Sequence, residues 1–206
     1  MPIVYTKGAL LQKIEQAAQD ISNFYQQDFV NYRGRTSDTS ELYTELVAEW
    51  CTGHLSAFDE ITRITREAPY RSAARDGIPP DPNSNRTEEL IAMALYRQGT
   101  IPVAGKVLDY QTPLKNKRTD RAGKIDLLAY DGVVLRILEL KEPDSLETML
   151  RCILEGFTYL RTVDQKKLLE DLALPDGTKV AACPLVFQGS QQYQEMQEDR
   201  PCLKRL

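Results

Sequence analysis

The chain has 206 residues, of which 42% are hydrophobic and 27% are charged, with 11 Gly and 11 Pro. That composition is typical of one folded domain, with or without a helical extension, and it excludes low-complexity and disordered classes. The net charge of −4 excludes a strong overall attraction to nucleic acid or anionic membranes, so such a partner would need a local basic patch.

The cysteines and the apolar segments indicate the cellular compartment that the sequence predicts for the protein. Four cysteines lie far apart, without a C-x-x-C pair and with one histidine in the whole chain, so a structural zinc site is not expected. The N-terminus lacks the pattern of a secretory signal, and no window reaches the roughly 18 apolar residues of a membrane helix. We therefore expect a soluble cytoplasmic protein with reduced thiols and no membrane partner.

Helical periodicity dominates the first third of the chain. Apolar residues recur at spacings of three and four over residues 10–32, which predicts an amphipathic helix. A second helix is predicted over residues 40–64, with an N-cap at Asp38, Thr39 or Ser40. We expect residues 1–67 to be a helical extension that serves as a packing or dimerisation layer, through which a homo-oligomer could form.

The next segment, residues 68–86, is rich in Pro, Gly, Asp, Asn and Ser, which break regular structure, so it predicts a linker. Residues 87–206 then carry short apolar runs between helical patterns. They predict a helix at 87–98, strands at 103–110, 124–130 and 133–141, helices at 145–160 and 165–172, and a strand at 179–187. The predicted fold class is α+β (α/β), with an α-β-β-β-α-β core after the helical extension.

The dipeptide Asp131-Gly132 between two apolar runs predicts a two-residue hairpin turn, in which both positions favour positive φ. The opposed pairs would then be Leu128–Leu135, Asp126–Ile137 and Lys124–Glu139. Alternation along the strands places four charges on one face of the sheet: Lys124, Asp126, Glu139 and Lys141. Asp126 and Glu139 become diagonal neighbours, about 7 Å apart at Cβ, which can both reach one cation.

This charged set has two interpretations. A ladder of ion pairs at the wet edge of a sheet is common and contributes about 0–1 kcal/mol. Both faces of the hairpin are otherwise apolar, however, and charges in a covered sheet are costly unless they are paired or bind a metal. The pattern leaves a functional site and a surface ladder as alternatives.

The order of these features resembles the PD-(D/E)XK nuclease superfamily. It has an Asp on one strand, a turn, Glu-X-Lys on the next strand, and then a helix and a further strand. The matching segment is GKIDLLAYDGVVLRILELK, with Asp126, Glu139 and Lys141 at the motif positions. The resemblance covers about residues 85–187. It implies a restriction endonuclease-like αβββαβ core.

The superfamily commonly places a glutamate on the helix before the sheet. Glu88 and Glu89 both match, and Glu88 is preferred because it shares a side of the helix with Ile91 and Leu95. A first-turn acid that favours the helix dipole is the alternative for either residue.

RecB-like members carry a Gln-x-x-x-Tyr pattern on the helix that follows Glu-X-Lys. This chain has Glu155 in place of the glutamine, followed by Tyr159, so we instead expect an ordinary helical ion pair between Arg151 and Glu155. Asp144 and Glu147 resemble a capping box, which predicts the start of that helix.

The resemblance implies a Mg²⁺-dependent deoxyribonuclease, with Mn²⁺ as an alternative ion. Asp126 and Glu139 would be metal ligands, with the carbonyl of Leu140 and the carboxylate of Glu88 as further oxygen donors. Lys141 would orient or deprotonate the attacking water, with a pKa lowered by burial and neighbouring charge.

A basic run leads into the Asp126 strand and could contact the phosphates of DNA. Its residues are Lys115, Lys117, Arg118, Arg121 and Lys124. Phosphate contacts are independent of sequence, and a solvated loop is the other interpretation. The sequence does not distinguish DNA from RNA. A catalytically silent module of nuclease fold that binds nucleic acid or a protein partner is the competing function.

Overall fold

The computed structural model describes residues 4–71, 86–117, 119–120 and 122–206. The α-helices are α1 (Lys7–Ala17), α2 (Tyr43–Gly53), α3 (Thr87–Gln98), α4 (Met149–Thr162), α5 (Gln165–Asp171), α6 (Gln191–Gln197) and α7 (Pro201–Arg205). The strands are β1 (Thr100–Ile101), β2 (Gly105–Pro113), β3 (Lys124–Tyr130), β4 (Val134–Leu140) and β5 (Lys179–Leu185). Short 3-10 helices occupy Ala18–Gln26, Asp28–Asn31 and Leu55–Glu60.

The described strands form one mixed sheet in the order β1-β2-β3-β4-β5, so the protein has an α+β fold. Strands β1 to β4 pair antiparallel, and β5 joins β4 in parallel. Helix α3 covers one face, where Met93 packs with Leu127 and Leu138. Helix α4 covers the other, where Leu150 shares a core with Ile137. Cover on both faces explains the nearly continuous apolar sequence of β4.

The first predicted helix ends earlier than its periodicity suggests. Helix α1 stops at Ala17, and the chain continues as a 3-10 helix whose backbone at Asp20 is non-helical (φ −127°, ψ 69°). The Asp20 carboxylate accepts a hydrogen bond from Asn23 Nδ2 at 2.8 Å. Short polar side chains of this kind form local bonds that compete with a regular helix, although apolar spacing continues.

The second predicted helix also differs at its start. Helix α2 begins at Tyr43 without a side-chain cap, so the N-cap predicted at 38–40 is wrong. Ser40 has a φ of 57°, in the left-handed region, and Asp38 accepts a hydrogen bond from Lys7 N instead. The helix ends at Gly53, and the remaining predicted residues form a 3-10 turn and irregular chain.

The N-terminal helices and the sheet share one buried core through α4. Phe24 stacks on Trp50 with ring centroids 5.4 Å apart, and Phe58 meets Phe157 of α4 at 5.2 Å. Tyr70, in the segment predicted as a linker, is fully buried. Its hydroxyl donates to the carbonyl of residue 64 and accepts from the N–H of residue 164. The apolar stripes of this layer are therefore buried within the chain itself.

The register of the β3–β4 hairpin differs from the predicted one. Tyr130 pairs with Leu135 and Leu128 with Ile137, so the strands are shifted by two residues. Four residues, 131–134, lie between the two residues of the closing pair, and the last of them already belongs to β4. A shift of two leaves every side chain on its predicted face. Extended by one step beyond the last pair, this register places position 126 opposite position 139.

The cause of the longer connection is the side chain of Asp131. Its carboxylate accepts hydrogen bonds from the N–H groups of Val133 and Val134, at 2.8 Å each, and pairs with Arg136 at 2.6 Å. Only Gly132 in this connection has a positive φ, at 100°. A two-residue turn of the predicted type needs two such residues.

None of the helices in the described ranges combines the length and apolar character that a membrane crossing requires.

Candidate active site

Three charged side chains meet where β3 begins and β4 ends. Because the two strands are antiparallel, the first residues of β3 lie beside the last residues of β4. Asp126, Glu139 and Lys141 are 9%, 4% and 4% exposed, respectively. The structure therefore holds them as a buried cluster rather than as an exposed ladder, and Lys124, which was predicted to share it, is exposed on the surface.

Asp126 is held from two sides. Its Oδ2 accepts a hydrogen bond from the backbone N–H of Leu140 at 2.9 Å, and its Oδ1 accepts one from Gln111 Nε2 at 2.8 Å. Burial raises the pKa of Asp126 to about 6, although the Leu140 bond and the charge of Lys141 act in the opposite direction. Both carboxylate oxygens retain a further lone pair for another ligand.

Glu139 lies beneath helix α4. A Cβ added at Gly156 would lie 3.4 Å from the Glu139 Cβ, an ordinary van der Waals distance, so this turn of the helix packs directly over the acid. Burial and then the charges of Asp126 and Glu155 raise the pKa of Glu139 well above its usual range, despite its ion pair with Lys141. The positive charge of Lys141 therefore does not fully balance the negative charge of the carboxylates around it.

Lys141 is surrounded by carboxylates. Its Nζ lies 2.9 Å from Glu139 Oε1, 2.9 Å from Glu147 Oε2 and 3.3 Å from Glu155 Oε2. Burial by itself would lower the pKa of Lys141, but these three acids outweigh it and raise the pKa above its ordinary value. The predicted lowering is therefore wrong in this arrangement, and Lys141 is an ammonium group suited to orienting a ligand rather than removing a proton.

The fourth member of the cluster is Glu155 of α4. Its Oε1 accepts a hydrogen bond from the hydroxyl of Tyr159 at 2.8 Å, while Oε2 contacts Lys141. The predicted ion pair with Arg151 is wrong, because Arg151 Nε lies 2.8 Å from Glu147 Oε1. One turn of helix places Glu155 and Tyr159 on the same face, and that face points towards the strand charges.

Of the two glutamates on α3, Glu88 lies closer to the strand charges. Its Oε1 accepts a hydrogen bond from the N–H of Glu142 at 3.4 Å. Burial raises the pKa of Glu88, and the charge of Lys141 partly offsets that effect. Glu89 instead pairs with Arg86 at 3.2 Å.

Asp126, Lys141, Glu155 and Glu88 line an open cleft of about 770 Å³, whereas Glu139 lies behind them and is not one of its lining residues. Its lining includes Arg86, Glu88, Glu89, Gln111, Asp126, Lys141, Glu142, Asp144, Glu147, Arg151 and Glu155. Among the predicted nucleic-acid contacts, Lys115, Lys117 and Lys124 are exposed but do not line the cleft. Arg118 and Arg121 lie outside the described residues. The described cations of the cleft are Arg86 at the N-cap of α3, Lys141 directly after β4, and Arg151 of α4.

Sequence reasoning missed two of the residues that position the cluster. Gln111, which binds Asp126, is a β2 residue with a φ of 50°, and nothing in its sequence context marks it. Glu147 was assigned to a helix cap, but the N-cap is Thr148, whose Oγ1 accepts from Arg151 N at 3.2 Å. The spacing of four between Glu147 and Arg151 was the available signal.

The cluster fits a divalent cation by its charge. Five carboxylates, those of Asp126, Glu139, Glu155, Glu147 and Glu88, lie around the ammonium of Lys141. Burial disfavours the ionised forms of Asp126, Glu139 and Glu88. Carboxylate oxygens are the ligands that Mg²⁺ prefers, and it usually takes one or two of them together with water and substrate oxygens. Asp126 and Glu139 could supply that pair.

A larger ligand set is not formed: within the described ranges, no three His, Cys, Asp or Glu side chains converge in a way that could hold a metal ion. A closed, all-protein metal site is therefore not what this cluster offers. The two strand acids together with solvent are the arrangement that its residues can provide.

No protein-family model matches this chain, and neither a curated protein nor a solved structure is significantly similar to it.

Proposed function

We propose that this protein is a metal-dependent nuclease that hydrolyses phosphodiester bonds of DNA. The observation that carries the proposal is that Asp126, Glu139 and Lys141 are buried together beside an open cleft, which Asp126 and Lys141 line and where Lys141 contacts Glu139. Burying two acids and an amine costs desolvation free energy that apolar residues of similar size would avoid. A function that requires these charged groups would explain why they are present. Phosphodiester hydrolysis is a function that requires charged groups of this kind.

The order of elements supports a restriction endonuclease-like core as part of the same proposal. Helix α3 precedes the antiparallel strands β2, β3 and β4, and α4 then crosses to the parallel strand β5. This is the αβββαβ order that the sequence resemblance implies. The short strand β1 and the helices α5, α6 and α7 are additions to it.

The chain's own residues have separable roles in this proposal. Asp126 and Glu139 would hold Mg²⁺, with the Leu140 carbonyl and Glu88 as further oxygen donors. When bound, the ion supplies positive charge against the negative charge that develops on the phosphate. Lys141, which is held as an ammonium, orients the attacking water and offsets the same developing charge.

Glu155 and Tyr159 act on the position of Lys141. The Tyr159 hydroxyl fixes one oxygen of Glu155, and the other oxygen contacts the ammonium. Tyr159 is itself buried and meets the ring of Tyr25 edge-on at 6.1 Å. The N-terminal layer therefore supports the floor of the cleft.

Two observations favour the competing function, a catalytically silent module that binds nucleic acid or protein. Lys141 is fully occupied by carboxylates, and the described residues lack a three-ligand group for a metal. A silent module would keep the cluster only as a buried ion-pair network. It would then bind its partner without any need for a divalent ion.

The decisive experiment incubates the purified chain with plasmid and linear DNA in Mg²⁺ or Mn²⁺ and in EDTA. We expect metal-dependent cleavage that Lys141→Ala abolishes and that Lys179→Ala, which removes an exposed lysine of β5, leaves unchanged. Circular dichroism verifies that both variants are folded. Cleavage that persists in folded Lys141→Ala, or no cleavage by the native chain, would refute the proposal. Parallel reactions with RNA determine the sugar preference.

A further inference from the structure

The carboxylate of Glu147 bridges the two cations of the cleft that lie nearest to the strand acids. Its Oε2 is 2.9 Å from Lys141 Nζ, and its Oε1 is 2.8 Å from Arg151 Nε. The side chain of Glu147 is 30% exposed, whereas that of Lys141 is 5% exposed. Lys141 and Arg151 both line the cleft, and the side chain of Arg151 is 20% exposed. The Glu147 carboxylate therefore occupies the position between the two cations on the side where solvent and ligands enter.

The backbone beneath Glu147 is fixed from other parts of the chain. Gln192 Nε2 donates to the Glu147 carbonyl at 2.7 Å, and Arg33 donates to the carbonyl of Leu146. The next residue, Thr148, donates from its hydroxyl to the Val30 carbonyl at 2.7 Å. Because the loop is anchored, only rotation of the Glu147 side chain is needed to expose the cations.

Arg151 would keep its place after such a rotation. Its Nη1 donates to the Tyr25 carbonyl at 3.3 Å, and its guanidinium lies over the Tyr25 ring, 5.6 Å from the centroid. Lys141 likewise keeps its contacts with Glu139 and Glu155. Both cations are therefore positioned independently of Glu147, with one ligand direction each facing the cleft.

We propose that Lys141 and Arg151 form a phosphate-binding subsite, and that Glu147 occupies it until substrate displaces the carboxylate. The inference rests on the proposed nuclease function and deepens it by assigning the phosphate contact. A phosphodiester, like a carboxylate, offers two terminal oxygens that can bridge an ammonium and a guanidinium. The Glu147 end of both ion pairs reaches solvent, at 30% exposed, so a polyanion that enters the cleft competes with this carboxylate from the exposed side.

The test is the binding of a fluorescein-labelled oligothymidylate, followed by anisotropy with Ca²⁺ in place of Mg²⁺. Glu147→Gln removes the competing charge while keeping the size of the side chain, and we expect roughly 3- to 10-fold tighter binding. Glu142→Gln is the matched control, because it removes the same charge from the same cleft, and Glu142 has no ion pair with a cation among the described residues. Arg151→Gln should weaken binding and remove most of the gain in the double variant.

The outcomes separate the two proposals. If Glu147→Gln binds no more tightly than Glu142→Gln while the native chain cleaves DNA, the subsite is wrong and the nuclease stands. If the gain is specific to Glu147→Gln and depends on Arg151, the subsite stands even where cleavage is absent. A gain that survives Arg151→Gln overturns the subsite, because it then reflects only the general loss of negative charge.

Discussion

The side chain of Asp126 accepts a hydrogen bond from the backbone N–H of Leu140 at 2.9 Å, and this bond joins β3 to β4 beyond their last backbone pair, Leu127 with Leu138. A carboxylate thus takes the place of a main-chain acceptor at the end of the ladder. It follows that Asp126 is fixed relative to the Glu-X-Lys strand by the same bond that completes the sheet.

The other oxygen of Asp126 depends on Gln111, whose backbone lies in the left-handed region with a φ of 50°. A non-glycine residue there carries about 1–2 kcal/mol of strain. We expect Gln111→Gly to be more stable than Gln111→Ala by about 1 kcal/mol, because both lose the hydrogen bond and only alanine keeps the strain. Urea unfolding of the two variants measures the difference; equal stabilities would contradict it.

The Asp131 turn gives a prediction with a definite pH dependence. Hydrogen bonds from Val134 N, Arg136 and Val133 N lower the pKa of Asp131 to about 2, below the unfolded value of about 3.9. A lowered pKa stabilises the fold above the unfolded value, and this stability is lost as the pH falls through about 2. Asp131→Asn keeps an oxygen acceptor and removes the charge.

We therefore expect native and Asp131→Asn proteins to differ in Tm near neutral pH, with the native protein higher, and to converge as the pH approaches about 2. A thermal unfolding series across that range provides the measurement. A difference in Tm that is constant with pH would mean that the charge of Asp131 does not contribute.

The same residue explains how far the hairpin could be predicted. The apolar runs and the Asp-Gly pair predicted the strands, and β3 spans the predicted residues 124–130. The predicted register was wrong by two residues because the Asp131 side chain binds two backbone N–H groups. The residue types in the turn do not indicate this hydrogen-bonding arrangement. Because the register differs by an even number of residues, Asp126 remains on the same face of the sheet as Glu139.

The cluster itself was only partly predictable, for a different reason. The Asp and Glu-X-Lys residues lie on paired strands, where alternation determines the face. Gln111 and Glu147 reach the cluster through an unusual φ and through a loop anchored by distant residues such as Gln192. Such long-range contacts leave no periodic signal in a single sequence.

The close approach of Gly123 to Tyr159, the residue that binds Glu155, gives a prediction about stability. A Cβ at Gly123 would overlap the Tyr159 hydroxyl, and Tyr159 is buried. We expect Gly123→Ala to lower the free energy of unfolding by about 1–3 kcal/mol and to cost less in a Tyr159→Phe background, which lacks the hydroxyl. Chemical unfolding of the single and double variants gives both values.

The control for that substitution is Gly8→Ala in α1, where no described atom lies within 4 Å of the added Cβ. There we expect a gain of about 0.5–1 kcal/mol, since alanine favours a helix over glycine. A similar loss at both glycines would show that the overlap with Tyr159 is not the cause.

Lys141 is the only described cation in contact with both Glu139 and Glu155, so its removal should leave buried charge uncompensated. We expect Lys141→Met, in EDTA at neutral pH, to lower the free energy of unfolding by about 3 kcal/mol. Lys179→Met, at an exposed position of β5, should change it by less than about 0.5 kcal/mol. Urea unfolding with a common m-value gives the comparison.

A second variant separates lost charge compensation from lost packing. If unpaired acid is the cause, then adding Glu139→Gln to Lys141→Met should recover about 1–2 kcal/mol, because one buried carboxylate no longer lacks its partner. If packing of the lysine stem is the cause, the losses from the two substitutions should add, because the neutral amide at position 139 would relieve nothing. An additive result would therefore mean that the cluster is not electrostatically coupled in the way that the 2.9 Å contact between Lys141 and Glu139 indicates.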